Sequence, residues 1–587
     1  MSSLLPLEAL GEGKTSRAVF PPTYKLISYC FVIGLLGAAA ALAFDAAVNF
    51  AQSLMLEKLG GFVPPSPGVV YSTPYFHSWV THWWVPVSTT LGGLLSGFLV
   101  YSLAPEAEGH GTDAAVETYH QKGAEVRPRI PFIKGVASAL TIGSGGVAGR
   151  EGPTAQIAVG LGAIASSLLR LRGQERRILL LASMSAGLAA VFRAPLGMAI
   201  FSVEILYSGM VFESEALIYT VISAVTAYAI HGFFVGWSPI FVIPAGLTFH
   251  SPAALLGFGI LGVLAGVVGA ILPRIFYGIR DQFRRIKVPR HFKPAIGGLV
   301  VGLVGVAIPE VLSTGYGWVQ LAIAGKISIA LLAVILLLKA PAMGLTIGSG
   351  GSGGVFAPTV TMGALLGGIV GLSLAALFPE MGVVPAAFVV VGMASVFSGA
   401  ARTPISTLIM VAEMTGGYGL IVPAMLANIS AFIVQRSLTH KSRYPTLYEA
   451  QVPTREDSPA HRGVFVRRAL EMLEGGNVDM TELTLPRLVS LLQFGHPVRV
   501  TQDAGILVAV RIASGAALDG QTVVEAFSSL PKTIAVAVIH GQEMIVPGGA
   551  TRLSAGDQII AMATSETYQA LREQAGEAVA STRIRED

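Results

Sequence analysis

The chain has 587 residues, of which 52% are apolar, only 13% are charged and 69 are glycine. That charged share is about half of what soluble domains carry, which excludes a plain string of soluble domains and makes a bilayer the expected solvent. A net charge of +4 leaves no basic footprint for nucleic acid, and a single cysteine, Cys30, leaves neither a disulfide framework nor a cysteine metal site.

Residues 1–25 lack the apolar core and cleavage site of a secretory signal and read as a cytosolic N-terminal segment. Apolar spans of bilayer length follow at about 26–50, 86–104, 214–235, 252–273, 295–312, 327–343 and 419–435. Between them lie shorter pieces interrupted by Gly and Pro, at 131–148, 150–169, 177–192, 194–207, 355–376 and 384–416. Such pieces cannot each cross about 30 Å of hydrocarbon as a simple helix. Irregular backbone is tolerated at that depth only where protein buries it or it lines a cavity, so these pieces mark the working site. Basic clusters at Arg170–Arg177, Arg274–Lys293 and Gln435–Arg443 predict cytoplasmic loops. The stretches Pro64–Trp84, Trp237–Ser251 and Phe378–Pro385, almost free of Lys and Arg, predict external ones. Trp79, Trp83 and Trp84 fit an interfacial belt or plain packing. The expectation is a multi-pass protein of the cell membrane with both termini cytoplasmic. After about Glu449 the apolar texture stops. Residues 453–497 read as a polar linker with helical pieces. In 498–587 apolar strands (ILVAVRIA, IAVAVIH, QIIAMA) alternate with turns before a polar helix and a charged tail, the pattern of a small cytosolic α+β domain.

Thr141–Thr154 reads TIGSGGVAGREGPT and Thr346–Thr359 reads TIGSGGSGGVFAPT, aligned without a gap at an offset of 205. A second pair follows at an offset of 209: Arg193-Ala194-Pro195 with Glu204, and Arg402-Thr403-Pro404 with Glu413. The membrane part is therefore two related halves, about 26–236 and 252–448. Interrupted helices at matching positions of internal repeats point to a transporter's substrate site. In each copy a glycine-rich loop leads into a helix start, with Pro153 or Pro358 in its first turn. Free N–H groups and the macrodipole at such a start favour an anion, and two converging starts would hold a halide without a fixed full charge. Glu151 stands out in this neutral setting. Its carboxylate can occupy an anion site as a tethered competitor and leave on protonation, which would gate transport and couple it to protons. The plainer reading is an acid that stabilises a helix start. Matches to G-x-G-x-x-G at Gly348, Gly350 and Gly353, and to G-x-S-x-G at Gly350–Gly354, lack the soluble strand–turn–helix setting that gives those motifs meaning.

With GREGP at Gly149–Pro153 and GVFAP at Gly354–Pro358, in that order, residues 25–452 resemble the CLC family of chloride channels and chloride/proton antiporters. The resemblance implies an all-α polytopic membrane domain with inverted internal repeats over 26–452. It also implies a homodimer with one pathway per subunit, chloride or a similar small anion as substrate, and protons if the member is an antiporter. Carried over by position, Glu151 would be the gate, flanked by Gly149, Arg150 and Gly152. The amides of Val355, Phe356 and Ala357 would line the anion site, and the pore tyrosine falls on Tyr448, with Tyr444 as its rival. Two positions depart from the pattern. The family's G-S-G-I-P is GHGTD here, Gly109–Asp113, so His110 replaces a coordinating serine. Its ring either donates to the ion or turns away and leaves the backbone amides, which puts the choice between chloride and nitrate in question. Where proton-coupled members carry an inner glutamate the chain has Ile205, with Glu204 one residue earlier and about 100° away around a helix. Glu204 then serves an inner proton route, or is structural like Glu413. The loss favours a chloride channel influenced by voltage or pH, and the alternative is a chloride/proton antiporter using Glu151 and Glu204.

Residues 500–565, with the turn Gly556-Asp557, resemble the C-terminal domain of RCK/TrkA regulators. This implies a dimerising module, with a small ligand such as a nucleotide or with none. The same likeness raises a potassium-uptake protein, but the chain has no filter resembling TVGYG. Its 11 His residues form no ligand-spaced cluster in the membrane part, so no enzyme, metal or cofactor is expected.

Overall fold

The computed structural model describes residues 24–461, 498–499 and 506–576, apart from 76, 78–81, 122, 250–251, 456, 532, 541–542 and 546. The segment before Tyr24, Trp79 and the helical pieces expected within 462–497 lie outside the described residues. The chain divides into two compact units, one up to Ala460 and one from His461.

The first unit contains sixteen α-helices among its described residues. Its first half runs α1 (Tyr24–Gln52), α2 (Val85–Leu103), α3 (Thr112–His120), α4 (Ile130–Gly143), α5 (Glu151–Leu168), α6 (Gly173–Phe192), α7 (Pro195–Glu204) and α8 (Leu217–Val235). Its second half runs α9 (Ala254–Arg285), α10 (Lys293–Ala307), α11 (Tyr316–Ile323), α12 (Ile329–Ile347), α13 (Phe356–Leu377), α14 (Pro385–Ala401), α15 (Pro404–Thr415) and α16 (Ile421–Thr439). Seven helices are long and apolar enough to cross a bilayer among the described residues. Several others, such as α4, α7 and α15, are too short to span it alone.

The halves are inverted copies packed on each other through matching elements: α2 lies against α10 and α7 against α15. At the first contact a Cβ on Gly93 would stand 2.3 Å from Pro294 O, and one on Gly298, 205 residues later, 2.3 Å from Thr89 O. The missing side chains let the two backbones touch, the usual substitute in lipid for a hydrophobic driving force. At the second contact the capping is reciprocal. Glu204, at the end of α7, accepts hydrogen bonds from Ile405 N (3.2 Å) and Ser406 N (2.8 Å) at the start of α15. Glu413, near the end of α15, accepts from Leu196 N (3.2 Å) and Gly197 N (2.8 Å) at the start of α7.

Five features differ from the sequence expectations. The bilayer-length span expected at 295–312 is the 15-residue α10, which ends at Ala307 before Pro309. The piece at 355–376, expected to be too short, is the 22-residue α13, one of the seven helices long enough to cross. The stretch 384–416 is two helices, broken where Arg402 takes φ 57° before Thr403-Pro404, as Arg193 takes φ 50° before Ala194-Pro195. Pro pre-sets φ at a helix start and disfavours α conformation in the residue before it, so the chain turns at both places. Helices α3 and α11, of 9 and 8 residues, carry no spanning signal and went unpredicted. The start of the stretch read as a polar linker, residues 453–460, is strapped across the first unit together with Val452 before it. Val452 bridges Tyr207, His120 Nδ1 meets Ser458 Oγ at 2.7 Å, and Arg455 pairs with the buried Glu213 at 2.6 Å and with Glu215 at 3.0 Å. A buried carboxylate demands a cation, and this one is supplied from far along the chain.

The second unit holds a five-stranded antiparallel sheet of β1 (Val498–Arg499), β2 (Ile506–Arg511), β3 (Ile534–His540), β4 (Glu543–Ile545) and β5 (Gln558–Ala563), in the order β1-β2-β5-β3-β4. Two helices, α17 (Val523–Ser528) and α18 (Ser565–Ala575), start with capping boxes at Thr522 and Thr564. In the turn before β5, Gly556 takes φ 92°, and Asp557 accepts from Ser554 N at 2.7 Å and meets His540 Nδ1 at 2.7 Å.

Candidate functional site

Three irregular loops, before α3, before α5 and before α13, are woven together at the centre of the first unit. Gly149 and Gly354 exchange both backbone hydrogen bonds, at 2.7 and 2.8 Å. Gly109 N donates to Gly351 O (3.0 Å), and Gly353 N donates to Gly109 O (3.2 Å). Backbone that is not helical thus finds its partners within the protein. In the second half the loop before α11 is tied in a similar way, with Ser313 N donating to Gly145 O at 3.0 Å. Two fully buried lysines sit beneath the loops. Lys134 donates to Ala107 O (3.0 Å) and Gly109 O (2.7 Å), and Lys339, 205 residues later, to Val311 O (2.8 Å) and Ser313 O (3.0 Å). Each satisfies backbone carbonyls of an irregular loop that no helix or strand supplies with donors.

Helices α5 and α13 begin beside one another, and their first-turn N–H groups have no acceptor within their own helix. Gly152 packs so closely that a Cβ there would lie 1.9 Å from His110 O and 3.0 Å from Gly354 Cα. Glu151, the first residue of α5, is 2% exposed. Tyr316 Oη donates to its Oε1 at 2.5 Å, while Oε2 has no hydrogen-bond partner among the described residues. A Cβ on Gly149 would stand 2.1 Å from that Oε2 and 3.0 Å from Ala357 N. The carboxylate therefore lies over Gly149, beside the first turn of α13, in the place where opposed helix starts favour an anion. The Gly149 amide itself is taken by Gly354, so this residue serves through its missing side chain. Arg150 turns its guanidinium to Asp45 (3.1 Å) and Asn49 (2.7 Å), in the wall of an open vestibule of about 380 Å³ that reaches Glu151, Tyr316 and His231.

Next to Phe397, which packs on both Phe356 and Tyr448, the site holds two more polar side chains. His110 is 6% exposed and Tyr448 1%. Their rings are 5.4 Å apart, and neither His110 Nδ1 nor Tyr448 Oη has a hydrogen-bond partner among the described residues. Buried polar atoms without partners call for a ligand. Val355 and Phe356 are buried with them, and Phe356 packs on Phe192 and Phe397 at ring separations of 4.4 and 4.3 Å. Tyr444 lies elsewhere: its hydroxyl donates to Asp281 at 2.6 Å and its ring stacks on Tyr277. Ile205 is fully buried, and Glu204 beside it is engaged with α15. Asp113, where the related motif has proline, accepts from Ala450 N at 2.8 Å and ties the Tyr448 segment to α3.

Tyr316, Lys134 and Lys339 were not singled out from sequence. The lysines had a signal, since each is an ionisable residue inside an apolar repeat element at the same offset of 205. Tyr316 had none, because its role depends on where a loop 165 residues from Glu151 comes to rest.

Two inverted halves whose broken helices aim their starts at a buried carboxylate define a polytopic membrane transporter of small anions. A family described as voltage gated chloride channel matches residues 92–436, and a TrkA-C domain matches residues 507–576. The H(+)/Cl(-) exchange transporters ClcA of Salmonella arizonae and Salmonella newport are each 31% identical over 433 residues, 71% of this chain and 86% of theirs. Among solved structures, a slow cyanobacterial Cl−/H+ antiporter matches with a TM-score of 0.62 at 22% identity, over 72% of this chain and 97% of that one. A CLC-type fluoride/proton antiporter matches at 0.61 and 21% identity, over 73% and 98%. The chain belongs to the CLC family of anion transport proteins and carries a C-terminal TrkA-C domain.

Proposed function

We propose that this protein exchanges chloride for protons across the cell membrane, as a homodimer with one pathway per subunit. The observation that carries the reading is the place of the Glu151 carboxylate, folded into the groove between the starts of α5 and α13. Ionised, it blocks the groove as a tethered anion; protonated, it loses the attraction of the helix starts, swings out and takes its proton with it. Chloride then passes between that groove and an inner station formed by the first-turn amides at Val355 and Phe356 with His110 Nδ1–H and Tyr448 O–H. Four neutral donors bind an anion firmly enough to select it and weakly enough to release it. The vestibule is lined by Pro64–Pro67 and Ile240, from stretches poor in Lys and Arg, so it faces outward and both termini lie in the cytoplasm. The sequence alone favoured a channel. Support for exchange comes from the 31%-identical relatives, which are H(+)/Cl(-) exchange transporters.

An uncoupled channel is the second reading, favoured by Ile205 in place of an inner glutamate and by the engagement of Glu204 with α15. Proteoliposomes under a chloride gradient, clamped near zero potential and then released, separate the two. Proton movement against its own gradient, abolished by Glu151→Gln while chloride flux continues, supports exchange. Chloride flux that moves no protons means a channel. The TrkA-C unit is assigned a regulatory small ligand, such as a nucleotide. Thermal-shift screening of the full-length protein against nucleotides tests this, and no shift with any of them removes that assignment.

A further inference from the structure

We infer that Tyr316 is the latch of the Glu151 gate, a positioning residue whose hydroxyl holds the carboxylate in the pathway and must be released each time the gate opens. The inference rests on the reading of Glu151 as gate. Its basis is a direct bond: Tyr316 Oη to Glu151 Oε1 at 2.5 Å, between two buried or half-buried groups. Hydrogen bonds from a hydroxyl to a carboxylate are among the stronger ones proteins make.

Tyr316 is held in place from two sides. It begins α11 directly after Gly315, whose φ of 94° and close neighbours (a Cβ would stand 2.7 Å from Thr361 Oγ1 and 3.0 Å from Lys339 Nζ) leave room for glycine alone. The Tyr316 ring meets Phe241 edge-on at 5.3 Å, and Phe241 N is fixed to Met414 O at 3.0 Å.

The internal repeat gives the position further sense. The loop into α11 is the second-half copy of the loop into α3. Pro105–Ala107 and Pro309–Val311 form matching 3-10 turns, Lys134 and Lys339 lie beneath, and Gly111-Thr112 corresponds to Gly315-Tyr316 at an offset of 204. The first copy presents His110 to Tyr448 at one end of the path, and the second presents Tyr316 to Glu151 at the other. The other charged or titratable groups near the gate are Arg150 and Asp45, paired with each other, His231 beside Asp45 at 3.8 Å, Arg193 on the vestibule wall and Lys339 under the loop. Among the described residues Tyr316 is the side chain that hydrogen-bonds the carboxylate.

The test is Tyr316→Phe in proteoliposomes, with chloride flux measured against vestibule-side pH, alone and in the Glu151→Gln background. Removing a hydrogen bond to a charged group shifts gate occupancy by about ten-fold or more, so half-maximal flux moves to higher pH by about one unit while the proton-to-chloride ratio stays at the wild-type value. In Glu151→Gln the same change alters flux less than about two-fold, because the partner carboxylate is gone. An unmoved pH profile, or equal effects in both backgrounds, overturns the latch. Wild-type flux without protons would remove the exchange reading, yet the cycle would still decide the latch. Elution as a single species and an unchanged melting temperature confirm that the variant folds.

Discussion

Glutamine at position 204 separates a helix-capping role from a proton-carrying one. Glu204 is fully buried, and its two oxygens accept from Ile405 N, Ser406 N and the Ser406 hydroxyl. Pro404 has no N–H, so these are the first amides α15 can offer. Glutamine keeps one carbonyl oxygen but turns an NH2 group toward a backbone N–H, which loses one charge-assisted bond and the negative charge at a helix start. The first loss is about 1.5–3 kcal/mol and the second about 0.3–1 kcal/mol, together roughly 2–4 kcal/mol. For a chain this large the shift is no more than about 2 °C per kcal/mol, so the melting temperature in detergent should fall by several degrees. The proton-to-chloride ratio in proteoliposomes should stay at the wild-type value. Glu413→Gln should repeat the effect more weakly, since Glu413 is only half-buried and accepts two bonds instead of three. A Glu204→Gln protein that melts like wild type but moves chloride without protons would refute the capping argument and return Glu204 to the proton route.

Two further outcomes follow from the same geometry. Gly149→Ala puts a methyl group 2.1 Å from Glu151 Oε2 and 2.9 Å from Ala357 Cβ, filling the groove; chloride flux should fall more than about ten-fold, or at least ~1.4 kcal/mol in barrier, with the protein still folded. Arg455→Met strips the cation from buried Glu213, and because Arg455 is itself partly exposed the loss should be near the lower end of the usual range, about 3 kcal/mol. Limited proteolysis should then cut within residues 452–460, and Glu213→Gln added to the variant should restore part of the protection.

How much was legible in the sequence varied with the range of the interactions involved. The 205-residue repeat, the broken helices and the two glycine-rich starts declared a membrane protein of two related halves, because each is a local pattern that backbone chemistry forces on any chain in lipid, and the family resemblance added that the halves are inverted. The split of 384–416 at Arg402 was also written locally, in Thr403-Pro404, and was missed only because apolar residues continue through the turn. Tyr448 and Tyr444 could not be separated by spacing. Folding alone turns one toward His110 and the other toward Asp281.

The sequence by itself determined the membrane class, the two halves, the glycine loops with Glu151 at a helix start and the strands of the C-terminal domain, all set by residue type and periodicity over short windows. Only the tertiary structure decided that Glu204 and Glu413 cap each other's helices, that Arg455 returns to Glu213, and that Tyr316 reaches Glu151. Each of these joins groups between 165 and 242 residues apart, and such pairs are chosen by the need to satisfy buried polar atoms where no water can, a condition that exists only once the chain has closed around them.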